Sequence, residues 1–156
     1  MTAKIKRAVK KFIEITLIGL LILVGAINVQ STSNAGDLDR EKAAIEQAAR
    51  RYLDAEVRRD FKVVYGSLYP SSDYCRVNNF AAYLAEAQSS PVRIESYEIL
   101  RIVLLEENPD KTKFPNLEGF ARVEVDLVLR YADNNQKADV NYDFPFVKEK
   151  GKWYKL

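Results

Sequence analysis

From Asp37 onward the apolar residues Ile45, Ala48, Ala49, Tyr52, Leu53, Val57, Phe61, Val64, Tyr65 and Leu68 recur at intervals of three and four, the period of an amphipathic helix. Asp37 or Asp39 can cap its start, and Asp39 and Glu41 suit the positive end of the helix dipole. The pattern is long for one helix. A bend is expected near Arg59 and Asp60, followed by a short helix from about Phe61 to Leu68 that stops at Tyr69-Pro70-Ser71-Ser72. Phe80, Tyr83, Leu84 and Ala87 predict another short helix ending before Pro91.

Beyond Pro91 the period changes. Val92 to Leu105 is rich in Ile, Val, Tyr and Leu without clean alternation, which predicts a long strand that carries a bulge or is buried on both faces. Ala121, Val123, Val125, Leu127, Leu129 and Tyr131 then alternate with Arg122, Glu124, Asp126 and Arg130, and Ala138, Val140, Tyr142, Phe144 and Phe146 repeat the pattern. A two-residue turn at Asn134-Asn135 would pair Leu129 with Val140, Leu127 with Tyr142, Val125 with Phe144 and Val123 with Phe146, and would set Asp126 opposite Asp143. A three-residue turn at Glu149-Lys150-Gly151 would bring Tyr154 and Leu156 onto the same inner face, with Val147 opposite Trp153 on the outer one.

Ahead of the first helix lies a segment of another kind. Ile15 to Ile27 reads ITLIGLLILVGAI, and Lys4, Lys6, Arg7, Lys10 and Lys11 precede it. Two readings stand: a signal peptide over residues 1–35, cut after the Ser33-Asn34-Ala35 triplet, or an uncleaved anchor helix drawn from Phe12 to Val29. In both, the basic flank keeps the N-terminus in the cytoplasm and sends residues 36–156 across the membrane. The expected localisation is extracytoplasmic: secreted, periplasmic, or anchored to the membrane with the domain outside.

The charge distribution sharpens this division. Five of the 24 basic and one of the 22 acidic residues lie before position 36, leaving 19 against 21 in the folded part. A domain with that balance lacks the cationic footprint of a nucleic-acid binder, so no nucleic-acid partner is expected. The chain has no histidine, which excludes Ser-His triads, histidine general bases and histidine-ligated metals. Its single cysteine, Cys75, cannot form an intramolecular disulfide and reads first as a small buried hydrophobe. No catalytic residue, metal site or cofactor is expected.

Helices followed by a meandering antiparallel sheet make an α+β domain. RRYLDAEVRRDFKVVYGSLYP, VRIESYEILRIVL and the strands ending in GKWYKL give it an element order that resembles the nuclear transport factor 2-like superfamily, with its cystatin-like sheet, over about residues 38 to 156. The resemblance implies a curved sheet closed around the helices as a cone, commonly holding a small-molecule pocket. Tyr52, Tyr65, Tyr83, Leu127, Tyr142 and Phe144 are the candidate pocket residues. The leading functional expectation is a non-enzymatic exported domain binding a small apolar ligand or an envelope protein partner. Two alternatives stand beside it: an isomerase- or dehydratase-like enzyme using the cone, and a structural oligomer at the cell envelope. The oligomer would be a homodimer joined through the outer sheet face, where Val128, Val147 and Trp153 would offer apolar surface.

Overall fold

The computed structural model describes residues 35–156, apart from 106, 109 and 110. The apolar N-terminal segment therefore lies outside the described residues. Among those described, no helix is long and apolar enough to cross a membrane.

Four helices precede four strands: α1 (Ala35–Arg58), α2 (Phe61–Ser67), α3 (Asp73–Val77), α4 (Phe80–Ser89), β1 (Val92–Leu105), β2 (Gly119–Tyr131), β3 (Lys137–Glu149) and β4 (Lys152–Lys155). The bend between α1 and α2 is a helix ending in the left-handed region. Arg59 has φ 56°, and its N–H and that of Asp60 bond to the carbonyls of Glu56 and Ala55, satisfying the last turn. Asp60 then caps α2 by accepting from the Val63 N–H. Ser72 and Asn79 cap α3 and α4 in the same way.

The strands form one antiparallel sheet in the order β1-β2-β3-β4. Its inner face packs on α1, which contacts β1, β2 and β4, while α2 packs on α1 and α4 on α2. Ile45, Ala49, Tyr52 and Leu53 from α1 meet Val123, Val125, Leu127 and Phe144 from the sheet to make the main core. β1 carries two register shifts, Ile94/Ser96 and Ile99/Arg101. They explain its missing alternation: parity lost at Glu95 is restored at Leu100, so Val92, Ile94, Tyr97, Ile99, Ile102 and Leu104 all reach the core.

The sheet is flat and open, and the expected cone is absent. Sheets curl where bulges bend them. Here both bulges lie on the edge strand, and β2 and β3 pair without interruption from Gly119↔Lys148 to Arg130↔Lys137. The likeness to the nuclear transport factor 2-like superfamily fails on that point, since element order alone does not specify curvature.

Both hairpin registers also differ from expectation. The β2–β3 connection is a four-residue loop, closed by Tyr131 N–H to Gln136 O at 2.9 Å, with Asn135 left-handed at φ 57°. Pairing moves by two residues, giving Leu129↔Ala138, Leu127↔Val140, Val125↔Tyr142 and Val123↔Phe144. A shift by two preserves the faces, so the hydrophobic pattern cannot tell these registers apart. Asp126 now faces Asn141, which donates to it at 2.8 Å, in place of Asp143.

The last hairpin slips by one, with larger consequences. Lys150 and Gly151 are both left-handed, with φ 51° and 73°, and form a two-residue turn, so Val147 pairs with Tyr154 and Phe146 with Lys155. Trp153 enters the main core, where Gly119 makes room for it: a Cβ there would lie 3.1 Å from the indole. The Trp153 N–H donates to Glu41 at 3.0 Å, and Lys148 pairs with the same carboxylate. Tyr154 and Leu156 fall on the opposite face, where Tyr69, Phe120 and Val147 form a second small core beneath Phe114 and Leu117.

The observed register makes Trp153 a buried anchor. Trp153→Ala should lower the free energy of unfolding by about 3–5 kcal/mol, read from the denaturant midpoint at constant m. On an outer face the same change would cost no more than about 0.5 kcal/mol, a result incompatible with the two-residue turn.

Candidate functional site

A half-buried acid and a buried amine approach one another at the main core. Glu56 lies one helical turn beyond Tyr52 on the inward stripe of α1, and Lys155 points inward from the end of β4. Lys155 is buried, and its ammonium donates to the Leu156 carbonyl and lies 5.9 Å from the centre of the Phe144 ring. Burial lowers its pKa to about 8, while the charge of Glu56 works in the opposite direction. Burial likewise raises the pKa of the Glu56 carboxyl, opposed by a hydrogen bond from Tyr52 and by the charges of Lys155 and Arg59. The two attract without forming a direct ion pair, since Glu56 and Lys155 are not joined by a salt bridge.

Aromatic side chains enclose them. The Tyr52 ring meets Phe144 edge-on with centroids 5.9 Å apart, and Tyr142 stacks against Phe144 at 4.8 Å. Burial keeps the Tyr52 and Tyr83 hydroxyls protonated well above the usual phenol range, with the nearby Glu56 charge adding to the effect. Such a set of phenols, carboxyl and amine can hold or exchange protons.

Of the six candidate pocket residues, Tyr52, Tyr83, Tyr142 and Phe144 thus gather around this pair. Leu127 is buried in the main core beneath α1. Tyr65 stands apart on α2, stacked on Tyr83 at 5.4 Å and donating its hydroxyl to the Asn78 carbonyl at 2.8 Å. Sequence reasoning missed Glu56 and Lys155. The spacing from Tyr52 to Glu56 was a readable signal, whereas the inward turn of Lys155 depends on the hairpin register. The other acids that could have entered a pocket are used elsewhere: Asp54 accepts from Tyr97 at 2.7 Å, Asp60 is a cap, Asp73 pairs with Lys113 at 2.6 Å, and Glu98 faces Asp126.

The geometry overturns the functional expectations built on a cone. Among the described residues, the two best-formed hollows are a cleft of about 340 Å³ between Tyr69, Arg76, Phe114 and Glu149, and a shallow groove of about 440 Å³ along the outer side of α1. None of the six candidate residues lines either one. There is no cone in which to hold an apolar ligand or an envelope partner, or to run isomerase or dehydratase chemistry. Of the three residues expected to give the outer sheet face apolar surface, Val128 lies there half-buried, opposite Asp139. Val147 and Trp153 are buried within the chain, and the face carries the ion pairs Arg101–Glu124 at 2.9 Å and Arg122–Asp143 at 3.8 Å. Among the described residues no group of three His, Cys, Asp or Glu side chains is placed to hold a metal ion.

No protein-family model matches the chain, and comparison with curated proteins gives no match.

The buried amine makes stability depend on pH. Unfolded, Lys155 keeps its proton to about 10.5; folded, only to about 8. Between these values the unfolded chain binds more protons, so stability rises with pH, by at most about 1.4 kcal/mol per unit. Tyr52 and Tyr83 act oppositely above about 10, because the unfolded chain loses those protons first. The denaturant midpoint should therefore climb from about pH 8 and turn over near pH 10. In Lys155→Met the climb should vanish while the fold persists. An unchanged climb in that variant would assign it to another group.

Proposed function

We propose that the protein is an extracytoplasmic domain that works at a membrane surface, delivered there by its N-terminal segment. One observation carries the reading: five cations stand directly before the apolar run Ile15–Ile27, and the residues after position 35 carry 19 basic against 21 acidic groups. That asymmetry is what orients a chain across a bilayer, with the cationic flank retained inside. The best-formed hollows among the described residues lie on the exterior, away from the candidate pocket residues, and direct the search for activity there.

A reporter enzyme that is active only outside the cytoplasm, fused after Leu156, should be active. Activity confined to a cytoplasmic reporter would refute the topology. N-terminal sequencing of the mature chain should then give Gly36 for a cleaved signal, or Met1 or Thr2 for an anchor.

A further inference from the structure

α4 is an apolar helix without a buried residue. It packs on α2 and leaves Phe80, Ala81, Ala82 and Ala85 exposed, with Val77 of α3 beside it at 81% exposure and Phe80 at 37%. Exposed apolar side chains grouped on neighbouring helices in this way are what contact sites present. A line of aromatic contacts joins it to a cationic patch. Phe80 meets Tyr83 at 6.4 Å, Tyr83 meets Phe61 at 6.5 Å, and the Arg59 guanidinium lies 5.2 Å over Phe61. Arg58 and Lys62 flank Arg59 and Phe61 in sequence, and all three cations are exposed. None of the three forms an ion pair with a described residue. Of the acids at this end, Asp73 pairs with Lys113, Asp60 caps α2, Glu86 accepts from Tyr74 at 2.9 Å, and Glu56 is half-buried, within reach of the Arg59 charge.

We propose that this helical end, Arg58, Arg59, Lys62, Val77 and Phe80, is a docking face for an anionic lipid surface. The chemistry fits that occupant. Exposed aromatic and aliphatic side chains enter the headgroup boundary while unpaired cations meet lipid phosphates, and the two contributions reinforce each other. Charge selects lipid over a second copy of the chain, since two such patches face to face would repel. The proposal rests on the membrane reading above and deepens it: the N-terminal segment would supply one attachment, and this face a second that fixes the domain's orientation. α1 spans about 36 Å at 1.5 Å per residue, so engagement of both ends would hold that helix along the membrane.

The only cysteine of the chain, Cys75, is free, half-exposed and two residues before Val77, which allows a solvent-sensitive fluorophore to be placed at the face. The labelled full-length chain would be reconstituted into vesicles of phosphatidylcholine alone or with phosphatidylglycerol, some carrying headgroup nitroxides. Emission should shift to the blue and be quenched by the nitroxides only when phosphatidylglycerol is present. Arg58→Glu/Arg59→Glu/Lys62→Glu should weaken this response about tenfold or more, and Phe80→Ser should weaken it with its charges intact. Circular dichroism and the melting temperature would verify that both variants are folded. A label that stays aqueous in anionic vesicles, while the chain itself floats with them, would overturn the docking face and leave the tether standing. A blue shift without nitroxide quenching would mean that protein covers the face, and would overturn the proposal as well. A cytoplasmic result from the reporter fusion would instead remove the topology alone.

Discussion

Two consecutive left-handed residues, Lys150 and Gly151, set the interior of this domain. Because they close the last hairpin in two residues, Trp153 and Lys155 turn toward α1, and Tyr154 and Leu156 turn away. The helix is then held to the short last strand at both ends. Near its start, Glu41 accepts from Trp153 and pairs with Lys148; near its end, Glu56 attracts Lys155. One more residue in that turn would exchange the faces, placing a tyrosine and a leucine where an indole and an amine now lie.

Both ends of this clasp involve charge, in different settings. The Glu41 carboxylate has Lys148 and the Trp153 N–H as partners, chiefly the lysine, and its pKa is lowered accordingly. Glu56 and Lys155 are desolvated more than they are paired, and their pKa values move toward neutrality of both groups. Removing charges from water costs more than an imperfect pair returns, so the arrangement weighs against maximal stability. The same contrast appears on the outer face of the sheet. There Glu95, the residue displaced by the first bulge, gathers Arg130 and Lys137 at 2.7 Å each, and the hydrogen bonds hold its pKa at about 2.

The sequence made α1, α2, α4 and the inner faces of β2 and β3 legible because each rests on a clear period, whereas α3, five residues capped by Ser72, is too short to show one. The bend at Arg59-Asp60 was visible as an overlong stripe interrupted by polar residues. Registers were harder to read. A shift by two in the β2–β3 hairpin leaves every side chain on its face, so alternation contains no information against it. In the last hairpin, Trp153 and Tyr154 are neighbouring aromatic residues and either can serve a core, so only turn geometry decides. The flatness of the sheet depends on where the bulges fall, and β1 shows its bulges as blurred alternation without indicating their effect on curvature. The candidate site was half legible. The aromatic residues were found from their stripe, while Glu56 was concealed by the assumption that a charged residue on a helix faces water.

An open sheet has two edges, and each exposes backbone groups that another chain could pair with. Along β4, Tyr69 donates its N–H to the Lys155 carbonyl at 2.7 Å, and Leu68 bridges the same residue, so the segment after α2 covers that border. Along β1, two displaced residues and the side chains of Glu95 and Arg101 break the regular row of donors and acceptors. The bulges that kept β1 from reading as a simple strand therefore protect the domain from edge-to-edge aggregation. Straightening β1 by deleting Glu95 or Leu100 would bring its sequence closer to an ideal alternating pattern and leave a longer, flatter template for association with other copies.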